Sequence, residues 1–434
     1  MADRYGAPVA APTLVDERRS VAALLIMVVC SATATVAGVT ALGKQVYDLS
    51  GRELDLGWLG LAEFAPAALL VFVTGTVADR FDRRRVVAIA ALAEAVAAVG
   101  LGLYALSDPT GVAPIFGLVV GFGTARAFAA PASRALPADI VAPAALPRLV
   151  ARFSIAWQVS IIAGPVLAGF AYVVDPALPY FLMAALLLAA AAAVARIAPR
   201  DRPLATPGDG TVADPEAGPD AHPDPASVRA AFEGLRFIRS RPVLLGAIAL
   251  DLFAVLFGGA VALLPAIAED RLGVGAIGLG WLRAAIGIGA ALTTTVLAVR
   301  PRERHIGATL LVVVGIFGAF TVVLGLTRSY VVAFAALAIL SGADAISVFI
   351  RATLVPLLTP EDRRGRVLAV ENVFIGASNE LGAFESGVVG QLFGAPVAVV
   401  TGGLATIAIA LLWWVAFPSL RRLDRFPRHH DDHG

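Results

Sequence analysis

Long apolar runs alternate along the chain with short polar segments rich in arginine. Runs of about 20 or more apolar residues, long enough to cross ~30 Å of hydrocarbon as a helix, recur twelve times. The first six cover 20–48, 56–78, 86–107, 112–135, 148–174 and 177–197; the second six cover 242–269, 274–299, 305–326, 330–354, 367–392 and 395–417. This pattern predicts an all-α membrane protein with twelve transmembrane helices in two pseudo-symmetric six-helix bundles. The bundles are expected at 20–197 and 242–418, after a polar segment 1–19 and before a basic tail 419–434. Between them, 198–226 is rich in Pro, Asp and Gly and reads as a flexible linker. Residues 227–240 are amphipathic, with Val228, Ala231, Phe232, Leu235 and Ile238 opposite Arg229, Arg236 and Arg239. This helix is expected to lie on the membrane surface.

Composition agrees. Of 434 residues 58% are hydrophobic and 15% charged, with a mean hydropathy of +0.81. A soluble core of this size has no use for so much apolar surface. The net charge of +1 conceals a strong segregation. With both termini on one side, 27 of the 34 basic residues fall on that side. Lys44, Arg52, Arg271 and Arg328 fall on the other, and Arg126, Arg283 and Arg351 lie inside spans. Arginine-rich loops stay on the cytoplasmic side, so both termini are expected there, in the inner membrane. The single cysteine, Cys30, excludes an internal disulfide and a cysteine metal cluster. No metal, cofactor or nucleic-acid partner is expected, and the histidines of the tail read as solvated. The first span has no cleavage site behind it and is expected to be retained.

The densest loop is Asp79–Arg85, with four arginines and two aspartates in seven residues. The two halves also repeat: Arg134, Ala135 and Pro143 recur 217 positions on as Arg351, Ala352 and Pro360, and Gly164 and Gly169 match Gly382 and Gly387 one position further. The repeat predicts a duplicated six-helix unit.

Gly75, Ala78, Asp79, Arg80 and Arg83 of that loop match the cytoplasmic signature of the major facilitator superfamily, with Arg84 a conservative replacement. Gly164-Pro165-Val-Leu-Ala-Gly169 resembles the family's antiporter motif. The runs 233–242 and 275–280 are similar to its drug- and siderophore-efflux branch. The resemblance implies that Asp79 gates the cytoplasmic side by capping the eleventh span, and that Arg126 in the fourth span is tied to proton coupling. It departs at Asp82, where the family has a second glycine.

Ionisable groups at bilayer depth are functional candidates. Glu63 in the second span and Glu380 in the eleventh both lie on the order of 20 Å from the inner face. The family places these helices side by side. Two carboxylates brought together do not both ionise cheaply, so they are expected to share a proton. Asp251 and Arg283 match in depth and are expected to form an ion pair or to touch substrate. Asp344 and Arg351, seven apart in the tenth span, share a face as a structural pair. The eleventh span is the most polar: Glu371, Ser378 and Glu385 form one stripe, Asn372, Asn379 and Ser386 an adjacent one. These are expected either to line the cavity or to join helices.

No nucleophile–base–acid set and no nucleotide-binding loop appears, so an enzyme is not expected. The reading is a monomeric secondary transporter working by alternating access. It is expected to be a proton-driven exporter of an amphipathic small molecule, with an importer or uniporter, or a non-transporting scaffold, as alternatives.

Overall fold

A computed structural model of the chain describes residues 14–198, 228–300 and 303–427. Six helices form the first bundle: α1 (Leu14–Ser50), α2 (Glu53–Arg80), α3 (Arg83–Leu106), α4 (Ala113–Ile140), α5 (Leu146–Val174) and α6 (Leu178–Ala195). The linker helix α7 (Val228–Ser240) leads into a second bundle. That bundle comprises α8 (Pro242–Phe257), α9 (Gly275–Val299), α10 (Ile306–Leu326), α11 (Tyr330–Leu357), α12 (Glu361–Phe393) and α13 (Ala395–Ala416). A one-turn helix, α14 (Pro418–Arg421), follows. Among the described residues, eleven helices are long and apolar enough to cross a membrane. The twelfth spanning helix, α12, falls short because it carries the polar stripes.

The boundaries follow local chemistry. Proline occupies the first turn of α4, α5, α6, α8 and α13, where its missing N–H costs no hydrogen bond. Asp82 caps α3 by accepting from Arg84 N at 3.0 Å. Gly394 (φ 87°) turns the chain between α12 and α13 in a conformation few other residues adopt. Beyond Phe257, α8 loses regularity: 259–263 is a 3₁₀ turn and Ile267–Arg271 a π turn.

Within the bundles α1 packs on α5 and α6, α3 on α4 and α6, α9 on α11, and α10 on α11 and α13. Small residues allow close crossings: a methyl on Gly402 would come within 2.2 Å of Phe257 O. The halves meet through α2 on α12 and α5 on α9. After α14 the tail returns to α10, where Leu423 O and Asp424 O accept from Gly307 N (3.0 Å) and Ile306 N (3.3 Å) and Asp424 Oδ1 accepts from His305 N (3.1 Å). These bonds satisfy the first N–H groups of α10, which no helical carbonyl reaches.

The linker helix departs from expectation. Phe237 and Ile238 are buried against Leu244, Ile248, Val355, Val367 and Val370 of the second bundle. The inner side of the helix therefore covers protein, while Phe232 stays exposed, at 68%. Residues 199–227 and the histidines of the tail lie outside the described part.

Candidate functional site

At the seam of the two bundles lies a cavity of about 430 Å³. From the first half α1 contributes Gly43, α2 Glu63 and Phe64, and α4 Arg126; from the second, α9 contributes Arg283 and α12 Glu380 and Ala383. The sequence thus places four of its mid-membrane charges, two of each sign, around one space. Absent side chains let them approach. A methyl on Gly60 would sit 2.5 Å from Glu380 Oε2, so that carboxylate rests on α2 one turn from Glu63. A methyl on Gly43 would sit 3.5 Å from Arg283 Nη2, and one on Gly123 2.3 Å from Glu63 O. Glu63 lies within electrostatic reach of Arg283, Glu94 and Glu380. Arg126 Nη1 and Arg283 Nε are buried without a hydrogen-bond partner.

Glu94 of α3 is a charge the sequence reading passed over. It is 5% exposed and close enough to feel Arg126 and Glu63. The signal was available: it is the one acid in the third apolar run.

Two expectations about pairing are corrected. Asp251 does not pair with Arg283; Arg351 of α11 takes its carboxylate at 2.6 Å, with both groups buried. Arg283 instead faces the seam. Arg351 is therefore not the partner of Asp344, although Asp344 lies beside the pair with Ser347, over a small apolar-walled gap. Glu371, 8% exposed, feels Arg351 and Asp251 as well, so α8, α11 and α12 share one buried charge cluster inside the second bundle.

The polar stripes of α12 are not the cavity wall. Ser378 is fully buried, and the face through Gly382 and Ser386 meets the irregular end of α8, where a methyl on Gly259 would sit 2.4 Å from Gly382 O and 2.8 Å from Ser386 Oγ. Glu385 is half-buried outside the cavity. Asn372 and Asn379 are exposed and donate to their own helix, at Leu368 O and Ile375 O. Helices α2, α7, α8 and α13 and the 259–263 turn all pack on α12, so polarity alone did not say which side was open.

The antiporter-like motif of α5 lies at two crossings. Gly164 backs onto α1 beside Thr33 O, and both Gly169 and Pro165 O back onto α9 at Ala276 and Gly280. In the arginine-rich loop Arg83 grips Asp139 of α4 (2.8 Å), and Arg84 binds Asp82 (2.6 Å) and donates to Ile197 O (2.8 Å). Hydrogen bonds from Arg84 hold the Asp82 carboxyl below the usual carboxylate range. Arg80 is exposed, and a methyl on Gly75 would meet nothing within 4 Å. The Asp79 side chain lies outside the described residues, so its gating role stays an expectation.

On the face opposite this loop the halves are latched. Lys44 of α1, 7% exposed, pairs with Asp48 and with Glu269 beyond α8 at 3.1 Å. Tyr47 donates to Asp270, and Tyr172 of α5 to Asp48 at 2.8 Å. Nearer mid-depth, Gln158 donates to Gly287 O of α9 at 2.7 Å. Among the described residues, the bonds that join the halves, Lys44–Glu269, Tyr47–Asp270 and Gln158–Gly287 O, all lie between the middle of the bundle and the latched face.

Two six-helix bundles, a charged cavity at their seam and a latch on one face define a membrane transporter. The chain belongs to the Major Facilitator Superfamily, whose family model matches residues 21–383. It is 28% identical over 372 residues to the enterobactin exporter EntS of Escherichia coli O1:K1 / APEC, covering 82% of each chain. In fold it is similar to the nucleoside transporter NupG (TM-score 0.65, 15% identity, 93% and 99% of the two chains). It is also similar to a bacterial homologue of the lysosomal transporter Spinster in an inward-facing, unoccupied conformation (0.67, 14%, 94% and 97%). A bacterial homologue of the iron transporter ferroportin in an inward-facing state gives 0.66 at 14% identity, over 94% and 100%.

Proposed function

We propose that the protein is a proton-coupled exporter of an amphipathic small molecule, drug-like or siderophore-like, and that it works as a monomer with no cofactor beyond the proton gradient. The observation that carries this is the seam cavity, into which each half contributes a carboxylate, Glu63 and Glu380, with Glu380 resting on α2. A site shared by both halves changes its geometry whenever the halves rock. A proton bound between two facing carboxylates is then released when they part or when one is engaged by substrate. Arg126 and Arg283 add fixed positive charge that tunes the exchange. The cavity's apolar wall suits the rest of an amphipathic molecule.

Export is supported by the relative named as an exporter and by the α5 motif. Arginine-rich loops favour placing the Arg80–Arg85 loop, α7 and both termini on the cytoplasmic side of the inner membrane. The latch then closes the outer side and the cavity faces the cytoplasm, with the Arg80–Arg85 loop on that side.

The test is proton release into weakly buffered detergent solution on adding candidate compounds, wild type against Glu63→Gln and Glu380→Gln. Release by the wild type and by neither variant is expected. Binding without release means a uniporter or another coupling ion. Full proton-driven efflux by Glu63→Gln in everted vesicles would remove the carboxylate pair from the mechanism.

A further inference from the structure

Between α7 and the start of α12 lies a second cavity, of about 390 Å³, far from the seam. Its walls are Arg236, Phe237 and Ser240 of α7 with Arg363 and Arg366 of α12, and Glu233 at the edge. Arg366 is held by Glu233 at 2.6 Å. Arg363 lies over the Phe237 ring, 5.3 Å from its centre, with Asp362 3.4 Å away. Arg236 is exposed and enters no ion pair among the described residues. Over the two segments that form it, 233–241 and 361–366, six arginines outnumber three acids.

The position decides what such a charge excess is for. Only Arg241 separates α7 from the first residue of the spanning helix α8, Pro242, so the cavity sits at the level where a bilayer changes from headgroup to hydrocarbon. Beside it Phe232 projects, 68% exposed. A positive pocket with an exposed aromatic residue at that depth matches a molecule that is anionic at one end and apolar at the other. We propose that this cavity binds the phosphate headgroup of an anionic phospholipid, with Arg236 and Arg363 as its ligands and the acyl chains running past Phe232. Arginine suits the task because its planar fork meets phosphate oxygens in pairs. The lipid bridges the linker helix to α12, the helix that carries Glu380, and so braces the inner end of the helix that has to move when the halves rock. The inference rests on the bilayer placement and not on proton coupling.

The experiment is native mass spectrometry of the full-length protein in detergent, titrated with phosphatidylglycerol or with phosphatidylcholine of the same acyl chains. About tenfold tighter binding of phosphatidylglycerol is expected, weakening as salt rises. The Arg236→Gln/Arg363→Gln variant should lose about that tenfold preference, while Arg236→Lys/Arg363→Lys keeps part of it and Arg421→Gln/Arg422→Gln keeps all. Size-exclusion profiles matching wild type establish that each variant is folded. Equal binding of the two lipids, or an unchanged preference in the glutamine variant, overturns the proposal. Inorganic phosphate that competes as well as the lipid does would make a free anion the ligand and overturn it too.

Discussion

Replacing Arg351 with glutamine tests the charge pairing most directly. Its guanidinium is 2.6 Å from the Asp251 carboxylate, and the two side chains are 6% and 8% exposed. Removing one partner of a buried pair leaves an uncompensated charge and costs about 3–5 kcal/mol. The upper part of that range applies, because Asp344 and Glu371 feel the same guanidinium and lose it together. A unit the size of the second bundle loses about 2–4 °C of melting temperature per kcal/mol, so a cost of about 4–5 kcal/mol gives an expected drop on the order of 8–20 °C. Asp251→Asn alone should also destabilise. The double variant Asp251→Asn/Arg351→Gln should recover about 2–3 kcal/mol of the summed loss, as coupling energies of touching buried groups do. The assay is thermal melting in detergent, followed by fluorescence-detected size exclusion. Arg283→Gln serves as the contrast: it breaks no ion pair among the described residues and should melt within about 1 kcal/mol of wild type. A collapse of Arg283→Gln, with coupling to Asp251 rather than from Arg351, would refute the assignment.

Other expectations are as definite. Gly123→Val drives a branched side chain into the Glu63 carbonyl, where even a methyl would lie at 2.3 Å; it should cost about 1–3 kcal/mol and lower substrate binding, read by melting and by a binding titration. Asp82→Ala should lose about 1 kcal/mol of α3 capping, and Asp82→Asn should keep most of it. Because the Asp82 carboxyl titrates lower folded than unfolded, its charge contribution is complete above the unfolded carboxylate range and fades as pH falls through the folded value. Melting between pH 5 and 8 should therefore be insensitive to this group, with Asp82→Asn removing a loss that appears only in more acidic solution. Lys44→Gln, in a Cys30→Ala background with Leu56→Cys as reporter, should raise labelling by an impermeant maleimide from the latched side. Unchanged labelling would mean that the Lys44–Glu269 pair does not hold that side shut.

Much of this architecture was legible in the chain. A spanning helix in lipid must bond its own backbone and present apolar residues to hydrocarbon, so all twelve spans could be placed from the apolar runs, with α12 marked out as the most polar. Charge at depth was readable as well: Glu63, Glu380, Arg126 and Arg283 all came from apolar runs, and the cavity has them together. What the sequence lacks is rotation and neighbour. Position along a helix gives one coordinate, and Asp251 and Arg283 agree in it while facing different spaces. The same gap hid the destination of α7, whose periodicity is equally suited to covering lipid or to covering Val367 and Val370. The latch was hidden for a third reason. Lys44, Tyr47, Glu269 and Asp270 lie at span ends, where charge is ordinary, and only the meeting of α1 with the π turn gives them a joint role.

The return of the tail to α10 has a consequence for how the molecule is made. The groups that satisfy His305, Ile306 and Gly307 come from residues 423 and 424, more than a hundred positions downstream. Every helix between them is synthesised first, so α10 enters the membrane with its leading N–H groups still facing water. The first bundle is tied in the same way, with Arg84 donating to Ile197 O and Ala198 N to Ser20 Oγ, so each half is joined end to end only once its final helix has been made.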